Sequence, residues 1–183
     1  MNRAPRDFLL DAEGSPLVVF HGTPLDHEEF DLDRHHTVGI HLGCKVQAVA
    51  RLCKCETGWI ISAHIQQGRI VEVRSIGGNL LDPFSESPSL TAFHLRARNV
   101  LNDEDMEALG FERLSLPIAH NIEWNPDSRR TMNRALLQRL RMRADIIKYA
   151  NLNEPRDSIP REAYCVLAND HVHRVGKERY NRP

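Results

Sequence analysis

Apolar positions in this chain come mostly in short runs, and one long helical period appears late. Leu17–Phe20 is four apolar residues directly after Gly14-Ser15-Pro16, which reads as a buried strand preceded by a lead-in over residues 1–14. Thr23–Arg34 is acidic and turn-rich, with Phe30 as its large apolar anchor. Gly39–Gly43 reads as a short strand or turn, and Val46–Leu52 as one or two helical turns. In Trp59–Ile65, Ile61 and Ala63 alternate with Ser62 and His64, and Gly68 introduces Ile70–Val73. Those two runs read as a hairpin or as consecutive strands joined by Gln66-Gln67-Gly68.

Gly77-Gly78 and the Pro83–Pro88 stretch mark a loop. A helix is expected over Ser89–Leu101, and Asn102-Asp103-Glu104-Asp105 caps a second, short one that Gly110 stops. Pro126-Asp127-Ser128 starts the clearest helix, in which Met132, Leu136 and Leu140 recur at i, i+4 and i+8. Asp145–Tyr149 reads as a strand and Tyr164–Leu167 as its partner, with a polar loop over residues 151–157 between them. Strands at the start, middle and end with helices placed irregularly predict an α+β fold in a single domain over 15–175, followed by a tail over 176–183. The regular strand–helix alternation of a dinucleotide-binding domain is missing, as are GxGxxG and GxxxxGK[ST].

Composition narrows the class. With 183 residues, 41% hydrophobic and 27% charged, the chain suits one globular domain. No apolar run approaches the roughly 18–20 residues that span a bilayer, and Phe8-Leu9-Leu10 is too short for a secretory core, so a cytoplasmic protein without membrane partners is expected. Net charge is −1 but uneven: residues 129–183 hold 13 Lys/Arg against 6 Asp/Glu, and residues 1–44 hold 8 acids against 3 bases. The basic third could meet phosphates or be a solvated helix face. Cys53-Lys54-Cys55 is too tight for a zinc knuckle, and His35-His36, His41 and His171-x-His173 match no closed metal site. No metal is expected.

The chemistry concentrates at His21-Gly22-Thr23, directly after the first strand. Phe20-His21-Gly22-Thr23, then Phe30, then Gly39-Ile40-His41-Leu42-Gly43 and Ala48, resembles the HGT…F…G-I-H-F-G…A pattern of small ADP-ribosyltransferase-like domains of phage-derived and polyvalent proteins. Asp145-Ile146-Ile147-Lys148-Tyr149-Ala150-Asn151-Leu152-Asn153-Glu154 is similar to that family's D-G-I-x-Y-x-N-x-x-E, and Ala163–Leu167 to its closing S-Y-I-V-F strand. The resemblance spans roughly residues 15–175, with little contribution from 76–128. It departs at Leu42, where the family has an aromatic, at Ile146 for a glycine, and at Ala163 for a small polar residue.

The resemblance implies a split β-sheet core and NAD as substrate, with His21, Gly22, Thr23, Phe30 and His41 binding it. The nicotinamide–ribose bond breaks through an oxocarbenium-like state that a nearby carboxylate stabilises. Glu154 fits that role by spacing in the pattern. Glu162 is the other candidate, although it falls one position before the family's glutamate and so on the opposite face of a strand. His21 would hold a ribose hydroxyl, Gly22 would let the nicotinamide amide approach the main chain, and Thr23 would add a hydroxyl. The acceptor of ADP-ribose could be a protein side chain, nucleic acid or small molecule. Two alternatives stand beside it: an RNA 2′-phosphotransferase-like enzyme, which also carries an HGT-like element, and a non-catalytic binding or phage-associated module.

Overall fold

The computed structural model describes residues 7–26, 28–32, 38–73, 83–84, 87–111, 126–151, 155 and 159–182. His35, His36, Gly77-Gly78 and Glu154 lie outside the described residues. Within them, seven strands form one mixed sheet: β1 (Val18–Thr23), β2 (Ile40–Gly43), β3 (Thr57–Ile65), β4 (Ile70–Val73), β5 (Ile146–Asn151), β6 (Arg161–Val166) and β7 (Val172–Asn181). Their order across the sheet is β4-β5-β6-β2-β1-β3-β7, and only β4–β5 runs parallel. Four helices accompany it: α1 (Lys45–Arg51), α2 (Pro88–Ala97), α3 (Asp103–Ala108) and α4 (Pro126–Arg143). The fold is α+β, as the scatter of strands and helices predicted.

Several boundaries differ from the sequence reading. His21-Gly22-Thr23 does not follow β1 but lies inside it, paired with Ile61, Ile60 and Trp59 of β3. β3 and β4, adjacent in sequence, are separated by four strands of the sheet and form no hairpin. The helix expected to run to Leu101 ends at Ala97, because Asn99 turns left-handed (φ 59°) and Val100 N–H closes onto the Leu95 carbonyl. Residues 176–181, read as tail, are the second half of edge strand β7. The lead-in is also attached, through bridges Phe8–Gln66 and Leu10–Pro16.

Paired strand residues share a face, so the register sorts the sheet into two sides. One side buries Ile40, Leu42, Ile61, Ala63, Ile146 and Val166; the other buries Ile60, Ile147, Tyr149, Ala163 and Cys165. Helix α1 packs so closely on this second side that a Cβ on Gly22 would lie 2.0 Å from the Ala48 carbonyl oxygen. The glycine is what lets helix backbone touch strand backbone there.

At the far end, α4 buries Leu136, Leu137 and Leu140. Arg69, just before β4, donates to the Arg141 and Met142 carbonyls at 2.6 and 3.0 Å, so it satisfies the last carbonyls of α4. It also donates to Asp145, which hydrogen bonding from Arg69 holds down at a pKa of about 2. One side chain thus joins helix end, β4 and the entry to β5. Arg143 at the same helix end pairs at 2.9 Å with Asp105, which is almost completely buried in α3.

Candidate functional site

β1 and β2 are joined at a single paired position, Phe20–Gly43, while β1 pairs with β3 along its whole length. Beyond that position the ladder stops, and backbone groups facing the seam need other partners. Side chains supply them. The His41 carbonyl accepts from His21 Nδ1 at 2.8 Å and from Arg51 Nη1 at 2.7 Å. A carbonyl can only accept, so His21 Nδ1 carries a proton. Phe30 meets the same ring edge-on, with centroids 5.5 Å apart and planes at 82°.

The loop that carries Phe30 is fastened to the sheet. Lys177 of β7 pairs with Asp26 and lies 4.0 Å over the Trp59 ring, Arg174 donates to the Glu28 carbonyl, and Leu32 N–H donates to Asn169 Oδ1. His21, Phe30 and the His41 carbonyl are therefore brought together by the fold. Thr23 is buried, and its Oγ1 accepts from Leu25 N–H at 3.2 Å, which shapes the turn leaving β1.

The His41 ring goes elsewhere. Leu42 faces the His21 side, so His41 faces the other. Its Nε2 donates to the Val38 carbonyl at 2.9 Å, and its Nδ1 shares a hydrogen bond with the Tyr149 hydroxyl at 2.9 Å. Phe84 and Tyr149 stand edge-on to it, with centroids at 4.7 and 6.0 Å. Leu42 is fully buried, so no ring can stack on it.

Glu162 lies on the His21 side. Continuing the Phe20–Gly43 register by one step sets His21 beside Leu42, whose β6 partner is Tyr164, whose β5 partner is Lys148. Glu162 pairs with Lys148 at 2.5 Å and accepts from Tyr164 O–H. Partial burial raises its pKa, but the Lys148 and Tyr164 hydrogen bonds and the Lys148 charge outweigh that and leave it below the ordinary value. Burial, then the hydrogen bond to Glu162 and the charges of Glu162 and Glu72, push the Tyr164 phenol up.

A shallow cavity of about 120 Å³ is lined by Phe20, Ile60, Ser62, Lys177 and Glu178 and contains none of the expected site residues. Among the described residues, no group of three or more His, Cys, Asp or Glu is placed to hold a metal ion, and no helix is long and apolar enough to cross a membrane. Sequence reasoning missed Arg51 and Lys148. Arg51 was visible only as a base ending a short helix, and nothing local to Lys148 announces Glu162 on the neighbouring strand. No protein-family model matches the chain, and neither do any curated proteins or solved structures.

Proposed function

We propose that the chain is an NAD-dependent mono-ADP-ribosyltransferase of the cytoplasm, which breaks the nicotinamide–ribose bond and passes ADP-ribose to an acceptor nucleophile. The observation that carries this reading is the interrupted β1–β2 ladder. It gathers the His21 ring, the Arg51 guanidinium and the Phe30 ring at one point, with the imidazole and the guanidinium both donating to the His41 carbonyl. His21 Nε2 would accept a ribose hydroxyl. Nicotinamide leaves with the bonding pair, the anomeric carbon bonds the acceptor, and the acceptor's proton passes to a carboxylate.

Of the two carboxylates, Glu162 is the weaker choice on electrostatic grounds, and Glu154 keeps the role that its spacing in the pattern implies. A Lys148 ammonium at 2.5 Å compensates most of the Glu162 charge, so its field on a developing cation is weak. The four free cysteines fit a reducing compartment.

A second reading, a binding module without catalysis, is favoured by three facts. Gly22 is used by α1, Thr23 by a turn, and Leu42 is buried where the family has an aromatic. Titration with millimolar NAD, followed calorimetrically, separates the two. Binding, together with label transfer from NAD to lysate components, supports the transferase, and absence of binding overturns it. In the same assay Glu154→Gln should abolish transfer, while Glu162→Gln should leave most of it. The reverse result moves the carboxylate to Glu162.

A further inference from the structure

Free cysteine is among the side chains most often found fully buried. Of the four thiols in this chain only Cys165 is, and it donates to the Val38 carbonyl inside the core. The other three stand at the ends of α1, Cys44 just before it and Cys53 and Cys55 just after it. Cys44 and Cys53 are exposed, and Cys55 is half-buried.

Cys53 and Cys55 flank Lys54 in a tight turn. Cys53 N–H donates to the Ala50 carbonyl at 3.2 Å, and Cys55 N–H to the Leu52 carbonyl at 2.8 Å. The second bond closes a four-residue turn with Lys54 at its third position, where backbone is compact rather than extended. The Cα atoms on either side of such a residue fall within the roughly 4.4–6.8 Å that a disulfide spans. Cys44 is out of reach, since α1 alone puts about 10 Å between its ends.

The turn is held on both sides. Leu52 is fully buried and lies so close to Gly58 that a Cβ there would stand 2.7 Å from Leu52 Cδ2. The Glu56 carbonyl accepts from Arg182 N–H at 2.9 Å. Two thiols are therefore kept adjacent, the outer one open to solvent and the inner one packed against Ala48, Leu52 and Ile60. A permanent staple is the wrong use for such a pair. Cross-linking stabilises most when it closes a long loop, and this one encloses a single residue. Closing it also draws on the packing of Cys55, which favours the dithiol and makes the bond easy to reduce.

We propose that Cys53 and Cys55 form a reversible dithiol–disulfide couple that responds to an oxidising shift, with a low-molecular-weight disulfide such as oxidised glutathione as co-reactant. The exposed Cys53 thiolate attacks one sulfur of that disulfide, forming a mixed disulfide and releasing one glutathione thiolate. The Cys55 thiolate then attacks the Cys53 sulfur, the Cys53–Cys55 bond forms, and the second glutathione thiolate leaves. The protein gives up two electrons and two protons, and both end on the two glutathione thiols. The couple shares no residue with the seam and does not rest on the transferase reading.

Full-length protein equilibrated with millimolar glutathione at varied ratios of reduced to oxidised form, then quenched in acid and alkylated, tests it. Trypsin cuts after Arg51 and Lys54, so Cys53 and Cys55 leave in separate peptides unless a disulfide joins them. The expected result is that both thiols escape alkylation together, that their peptides travel as one under non-reducing conditions, and that dithiothreitol restores both. In Cys55→Ser the mixed disulfide has no resolving thiol, so glutathione on Cys53 should rise about tenfold or more over the unaltered chain.

Glutathione persisting on Cys53 of the unaltered chain, or Cys53 joined instead to Cys44 or to a second copy, overturns the proposal. Should Cys55→Ser lose its native circular dichroism, Cys53→Ser at the exposed position carries the test. Cys55 should then stay reduced at ratios that oxidise the unaltered chain, and oxidation of Cys55 as ready as before is equally fatal.

Discussion

The two halves of the sheet are held together by different means. In the half made of β1, β3 and β7 with α1, strands lie in long antiparallel ladders, and the helix presses against a strand through a glycine. In the half made of β4, β5 and β6 with α4, a short parallel pair joins residues some 76 positions apart, and Arg69 ties three elements with one guanidinium. Backbone ladders run through both halves, β5–β6 pairing at as many positions as β1–β3, and the second half adds side-chain ties and helix burial. The seam between them has too few backbone bonds to close itself, which is why an imidazole and a guanidinium are found completing it.

That contrast can be broken from either side. Leu140→Ala removes a fully buried anchor of α4 and should cost about 4 kcal/mol in denaturant unfolding. Gly22→Ala should cost about 3 kcal/mol, because its new Cβ meets backbone at 2.0 Å rather than a side chain that can swing away. If Gly22→Ala were neutral, close packing of α1 on β1 would be wrong. At the seam itself, His21→Ala should weaken NAD by about 1–3 kcal/mol and lower stability by about 1 kcal/mol, since Arg51 still serves the His41 carbonyl. A large fall in stability with unaltered NAD affinity would assign the ring a structural role alone.

Acid should loosen the second half first. The Asp145 carboxyl is held at about 2 in the fold against 3.8 ordinarily. A lowered folded value means its stabilisation is complete above pH 4 and is lost as pH falls towards 2. Asp145→Asn should flatten that part of an acid-unfolding curve followed by circular dichroism. The smallest effect belongs to the Lys148–Glu162 pair. Both side chains are partly exposed, so Lys148→Ala should cost less than about 1 kcal/mol. It should also raise the Glu162 pKa, which a carboxylate-resolved NMR titration would read directly.

Much of this was legible along the chain. The period of Met132, Leu136 and Leu140 gave α4, Asn102 and Gly110 bracketed α3, and Tyr149 and Tyr164 were identifiable as packed strand residues. β7 was not, since charged residues dominate an exposed edge strand and no apolar alternation marks it. The site was legible only in part. His21, Phe30 and the turn at Thr23 come together, but the His41 ring pairs with Tyr149 on the opposite face from His21, where its place in the motif gave no hint of direction.

The sequence by itself determined which segments can be helix or strand, because period, caps and turn residues act within a few positions of one another. It also determined that one helix would be crowded with arginine. Folding in three dimensions settled that β3 and β4 would part with four strands between them, that Gly22 serves α1, and that His21 and Arg51 share one carbonyl. Those outcomes depend on which strands become neighbours, and strand pairing is a contest among distant segments whose backbone hydrogen bonds are chemically identical. Burial and side-chain ties decide between them, and these exist only once the chain has closed.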